Sequence, residues 1–159
     1  MIFVTLGSQK FQFNRLLEKL DELVDDGIIN EEIFAQIGYS DYIPKNYNFD
    51  KFLDRNKFIE VMDKCDKVIT HGGTGAIIGA IKKNKKVIAI PRNCEFNEHV
   101  DNHQYDIVSE FSNMNLIIGI DDLDDIGKSI KKIDSTIFKN YETNTENIIL
   151  DIENFININ

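Results

Sequence analysis

Two periods of hydrophobic spacing alternate along most of the chain. Short apolar, mostly β-branched runs read as buried strands at Ile2 to Leu6, Ile33 to Ile37, Val68-Ile69, Val87 to Ile90 and Leu116 to Ile120. Asn48 to Leu53 is a weaker strand candidate. Between the strands, apolar positions fall at helical spacing. Leu16, Leu17, Leu20, Leu23 and Val24 form a stripe closed by Gly27 as a C-cap. Asp54 is placed to cap a helix through Cys65, with Phe58, Ile59 and Met62 facing inward. Ile77, Ile78 and Ile81 make a third apolar face, and a further helix starts near Val100. Asp121 or Asp122 caps one more, ending near Ile133. Strands alternating with helices predict an α/β fold: Rossmann-like, with a mostly parallel sheet flanked by helices.

The same pattern divides the chain. Residues 1–133 read as one domain, and the polar residues 134–143 as a linker. Thr143-Asn144-Thr145-Glu146 has capping-box form and opens a final amphipathic helix, Thr145 to Ile158, so that 134–159 is a linker and helix. Composition adds exclusions. A net charge of −9 argues against a nucleic-acid partner, which would call for a basic surface. Two cysteines, Cys65 and Cys94, are too few for a disulfide framework and fit a reducing, cytoplasmic setting. Cys65 reads as a small buried filler rather than a nucleophile. Met1 leads straight into Ile2-Phe3-Val4 with no basic leader, and no apolar run is long enough to span a bilayer, so membrane association is expected through a partner.

The chemistry concentrates where a strand runs into His71-Gly72-Gly73-Thr74-Gly75 and the turn opens a helix. Glycines let the backbone bend sharply and approach a ligand. The first N–H groups of the helix lack internal partners and carry the positive end of its dipole. Bare amides at residues 72–76 are therefore expected to grip a phosphate or diphosphate, with the Thr74 hydroxyl as an added donor. A tight turn that binds nothing is the alternative, although one glycine would serve it. The Gly-Lys-Ser/Thr run of a P-loop is missing. Gly73, Gly75 and Gly79 nearly meet the dinucleotide fingerprint, but the last spacing is one residue too long and the turn lies mid-chain. Gly7-Ser8-Gln9 ends the first strand and falls at the same sheet edge, where ligands collect.

A second polar stretch, Arg92 to Gln104, follows Pro91 one βα unit later. Asp101 and Gln104 are three apart, on one face of a first helical turn, and a carboxylate with an amide suits sugar hydroxyls. Side chains that merely cap the helix are the other reading. His99 and His103 are four apart, but Val100 stands where a zinc-protease motif needs glutamate and no third ligand is in place, so no metal is expected. His71 is placed to donate to a phosphate oxygen or steady a leaving nucleotide; its alternative role is to hold the turn.

Val4 to Gln9, His71 to Ile77 and Glu98 to Gln104 together resemble the donor-binding half of MurG-like GT-B glycosyltransferases of family 28. The likeness spans roughly residues 2–133. It is nearest to short bacterial catalytic subunits that build capsular or exopolysaccharide repeat units, themselves similar to the soluble subunit of the eukaryotic dolichol-linked N-acetylglucosaminyltransferase. The resemblance implies a single half of a GT-B fold and an inverting, hexosyl-transferring, UDP-sugar-dependent enzyme needing no bound metal or other cofactor. It implies donor binding by Gly7, Ser8, Gly72, Gly73, Thr74, Gly75, His99, Asp101 and Gln104, with His71 as the catalytic group. It also implies a membrane-anchored, acceptor-binding partner subunit and a lipid-linked saccharide acceptor at the inner face of the membrane. One departure stands out: Ile78 occupies about the position where these enzymes hold ribose with a glutamate. Two other readings remain open: a non-catalytic nucleotide-sugar-sensing or partner-stabilising subunit, and a dinucleotide-dependent oxidoreductase with Arg92 as a 2′-phosphate reader.

Overall fold

The structure is a computed structural model that describes residues 1–142. The expected final helix, Thr145 to Ile158, lies outside the described residues. Six parallel strands form one sheet: β1 (Ile2–Thr5), β2 (Ile33–Gln36), β3 (Asn48–Asp50), β4 (Lys67–His71), β5 (Lys86–Ile90) and β6 (Ile118–Gly119), in the order β3-β2-β1-β4-β5-β6. Among the described residues, α1 (Asn14–Asp25), α2 (Arg55–Lys64), α3 (Thr74–Ile81) and α4 (His103–Asn113) connect strands, and α5 (Ile126–Ile133) follows β6.

Strand alternation sorts the core into two layers. Ile2, Val4, Ile69, Ile88 and Ile90 face one side, where Leu16, Leu17, Leu20 and Leu23 of α1 and Ile126, Ile130 and Ile133 of α5 cover them. Phe3, Val68, Val87 and Ala89 face the other, under Val61 and Met62 of α2, Ile77 and Ala80 of α3 and Val108 of α4. The order reverses direction between β1 and β4. Thr5 pairs with Thr70 there, and the Thr70 hydroxyl donates to the Thr5 carbonyl at 2.9 Å. The carboxyl ends of these strands are thus level, and the crevice beyond them is the usual ligand position of this topology.

Local signals behaved as expected at several ends. Gly27 takes φ +66° as α1 closes, with Gly27 and Ile28 N–H donating to the Val24 and Leu23 carbonyls in a Schellman pattern. The Asp54 side chain accepts from the Asn56 and Lys57 amides and caps α2. Other expectations are corrected. Ile59 is 38% exposed and Val61 turns inward instead, because the buried stripe of α2 follows positions 58, 61 and 62. The helix expected from Val100 starts at His103. Asp122 caps a short 3₁₀ turn, Leu123–Asp125, which leads into α5. The last strand keeps only Ile118–Gly119, because the chain is still leaving α4 at Leu116, whose N–H bonds the Phe111 carbonyl. The polar stretch after Ile133 is held rather than free: Lys86 donates to the Asp134 carbonyl, Lys139 N–H to the Asn115 carbonyl, and Phe138 packs on the core.

Candidate functional site

Three loops meet at the carboxyl edge of the sheet. The loop after β1 carries Gly7 and Ser8, the turn after β4 carries Gly72 to Gly75, and the loop after β5 carries His99 and Asp101. His71, the last residue of β4, occupies the middle. Its ring is held between two positions without side chains. A Cβ on Gly7 would lie 2.7 Å from His71 Nε2, and one on Gly73 would lie 2.2 Å from His71 Cε1. Gly7 also has φ +73°, in the left-handed region. A Cβ on Gly72 would meet Gln104 and Val108 of α4 at 2.8 and 2.9 Å. These three glycines are thus required by packing. Gly75 differs: nothing lies within 4 Å of its Cβ position, and it is exposed.

The expected row of free amides from 72 to 76 is narrowed accordingly. Gly72 N–H donates to Gln104 Oε1 at 2.9 Å, and Gly73 N–H to His71 Nδ1 at 3.0 Å. Ala76 N–H folds back onto the Gly73 carbonyl. Among the described residues, the N–H groups of Thr74 and Gly75, the first two residues of α3, have no hydrogen-bond partner and form the positive end of the helix dipole. Both residues are exposed, and Gly73 as N-cap supplies no side chain to cover them.

Because Nδ1 accepts the Gly73 amide, the neutral His71 ring carries its proton on Nε2. Burial, with the Arg92 and His99 charges adding to it, lowers its pKa to about 4, so His71 is neutral at physiological pH. Any bond it makes to phosphate is therefore that of a neutral donor. Gln104 is 4% exposed, and its Oε1 accepts from both Gly72 and Arg92 N–H while its Nε2 lies 3.5 Å from His71 Nδ1. The expectation that Asp101 and Gln104 share a helix face is corrected. Asp101 lies before α4, exposed, where its Oδ1 accepts from His103 N–H at 3.0 Å and meets His99 Nδ1 at 3.1 Å. The His103 amide bond, followed by His99, holds the Asp101 carboxyl below the ordinary carboxylate range. His99 stacks on Phe11 of the loop after β1, with ring centres 5.4 Å apart.

Arg92 is not available as a 2′-phosphate reader. It is 1% exposed and donates to the Leu6, Phe11 and Glu98 carbonyls. Sequence reasoning missed its neighbours. Glu98 is equally buried, takes both Arg15 Nε (2.7 Å) and Nη2 (3.0 Å), and accepts from Asn93 N–H. Arg15 and Glu98 are 83 residues apart, and no spacing in the sequence pairs them. Ile78, at the position of the ribose glutamate, is half-buried. Cys65 is buried, and burial pushes its thiol pKa up, as fits a filler. Among the described residues there is no cluster of three metal-ligating side chains, and no helix is long and apolar enough to cross a membrane.

The chain and its fold have known relatives. The chain is 34% identical over 100 residues to the UDP-N-acetylglucosamine transferase subunit ALG13 of Candida glabrata. That match covers 60% of this chain and 48% of the relative, so the chain spans about half of that protein's length. The solution structure of an ALG13 superposes with a TM-score of 0.58 at 18% identity, covering 89% of each chain. Acinetobacter baumannii MurG superposes with a TM-score of 0.56 at 14% identity, covering 84% of this chain but 40% of MurG. At such identities the structural likeness is one of fold, and it marks the sheet as one half of a GT-B architecture. The glycosyltransferase family 28 C-terminal domain matches residues 1–157, and the chain belongs to that family.

Proposed function

We propose that this chain is the donor-binding, catalytic subunit of a heteromeric, inverting, UDP-sugar-dependent hexosyltransferase. The observation that carries the reading is the exposed N-terminus of α3 at the switch point, where the Thr74 and Gly75 amides lie open beside the loop bearing Gly7 and Ser8. In the proposed step an acceptor hydroxyl oxygen attacks the anomeric carbon. The bond from that carbon to the β-phosphate oxygen breaks, and its electron pair leaves on UDP. The acceptor proton passes to a base supplied by the partner subunit. The α3 amides and dipole, the Thr74 hydroxyl and the neutral His71 Nε2–H offset the charge that grows on UDP, with no metal assigned to the step. His99 and Asp101 are assigned to the donor sugar, and the buried Gln104 to holding the glycine turn and His71 in place beneath it.

The name of the Candida relative makes UDP-N-acetylglucosamine the first donor to test. Resemblance to the short bacterial subunits supports a lipid-linked acceptor in capsular or exopolysaccharide biosynthesis, a membrane-anchored partner, and a peripheral position at the cytoplasmic face. Ile78 keeps one other reading in view, a nucleotide-sugar-sensing subunit without catalysis; turnover by the complex that survives loss of His71 and Asp101 would favour it. The primary test is calorimetric titration of the chain with UDP and UDP-N-acetylglucosamine. Saturable binding is expected, and it should be lost in Gly75→Val, whose side chain has room in the fold but covers the amides. Native chain that binds neither compound overturns the reading.

A further inference from the structure

Arg92 is the residue on which the three crevice loops converge. Its Nη2 donates to the Leu6 carbonyl at 2.6 Å and its Nη1 to the Phe11 carbonyl at 3.0 Å, both in the segment that leaves β1. Nη1 also donates to the Glu98 carbonyl at 3.1 Å, in the loop after β5. Its backbone N–H, at 3.1 Å, shares Gln104 Oε1 with Gly72 N–H and so reaches the glycine turn. The guanidinium lies 5.4 Å from the centre of the Phe13 ring. The charge is met by neutral carbonyls, since the Glu98 carboxylate is taken by Arg15 and the Asn93 amide. Among the described residues Arg92 Nε has no hydrogen-bond partner. Burying a guanidinium is costly, and the cost is met here only in part: three carbonyls are satisfied while Nε is not. The arrangement is hard to explain by stability alone.

We propose that Arg92 is a positioning residue of the donor site: its guanidinium fastens the loop after β1 to the loop after β5, on either side of the glycine turn, so that the N-terminus of α3 is presented to the diphosphate. The proposal rests on the reading of the crevice as a UDP-sugar site. Arg92 acts through the loops and touches no substrate. A planar fork can reach carbonyls on two separate loops at once; a lysine ammonium at the end of a flexible stem cannot span them. The Arg92 charge has a second effect, because with burial and His99 it holds His71 neutral, against the opposing bond from Gln104.

Full-length Arg92→Lys and Arg92→Met are compared with the native chain by UDP titration, thermal unfolding and NMR titration of the His71 ring. Arg92→Lys keeps the charge without the fork, and its UDP affinity is expected to fall about tenfold while His71 still titrates near its native midpoint. Arg92→Met loses both, so its affinity falls further and the His71 midpoint rises from about 4. A purely structural role would lower the unfolding temperature and leave UDP affinity unchanged below it. Native-like UDP affinity in both variants overturns the proposal, as does the absence of any cooperative unfolding transition in Arg92→Lys, which would make the residue one of the core alone. If the native chain itself does not bind UDP, the functional reading fails separately. The positioning role is then read from the Gly7, Ser8 and Gly73 amide resonances, which Arg92→Lys must shift and which, if unmoved, sink it.

Discussion

At the scale of single residues, the glycines of the crevice answer to different demands. Gly7 and Gly73 make room for the His71 ring, Gly72 makes room for α4, and Gly75 borders open space. A methyl group at each therefore has a different consequence. Gly73→Ala drives a Cβ into His71 and is expected to destabilise the chain by about 1–3 kcal/mol, as overpacking does. Gly75→Ala is expected to leave the unfolding midpoint unchanged or slightly raised, since alanine favours a helix, and to affect only UDP affinity. Denaturant unfolding of the two variants in parallel checks the contrast. The sequence marks this turn because three glycines after a strand are unusual. It does not reveal that two of the glycine amides are already engaged, since those bonds depend on Gln104, 32 residues away, and on the rotamer of His71.

At the scale of elements, ends set by local chemistry were legible and ends set by packing were not. Asp54 bonds two amides within three residues, and any chain with that local geometry would do the same. Asp54→Ala is expected to cost about 1 kcal/mol and lower the melting temperature without changing UDP binding, because the Asp54 side chain bonds the Asn56 and Lys57 amides of its own helix and, among the described residues, none of the crevice loops. Thermal unfolding with and without UDP tests both halves of that statement. The spacing places the start of α4 near Val100, whereas Asn102 is the N-cap in the fold: its Oδ1 is taken by the Cys94 amide, and Asp101 Oδ1 accepts from His103 N–H, contacts that no spacing shows. The last strand was drawn too long because Leu116 and Ile117 are buried although they lie outside the ladder. Burial and strand pairing leave the same apolar signature in a sequence.

At the scale of the whole molecule, the sheet order brings segments far apart in sequence into one crevice. Arg15 in α1 and Glu98 in the loop after β5 are 83 residues apart, yet they form a forked ion pair beside the site. Glu98 is the buried partner, whereas Arg15 keeps 23% exposure and a second bond to the Pro91 carbonyl. Glu98→Ala is therefore expected to lose roughly 1–3 kcal/mol, less than breaking a fully buried pair, because water reaches the Arg15 that is left. It should also weaken UDP binding, because the Asn93 amide and the loop that carries His99 lose their anchor. Equilibrium unfolding against denaturant gives the first number, and UDP titration of the folded fraction gives the second.

Periodicity and turn chemistry in the chain itself determined the α/β class, the existence of all six strands and the position of the glycine turn, because these depend on neighbours a few residues apart. The parallel sheet and the three crevice motifs were legible for the same reason. The tertiary structure alone decided which amides stay free, why His71 is neutral, and that Arg92 faces inward to three carbonyls instead of outward to a ligand. Each of those depends on contacts between residues tens of positions apart, where the free energy of burial and hydrogen bonding is settled by the assembled crevice and leaves no spacing to read.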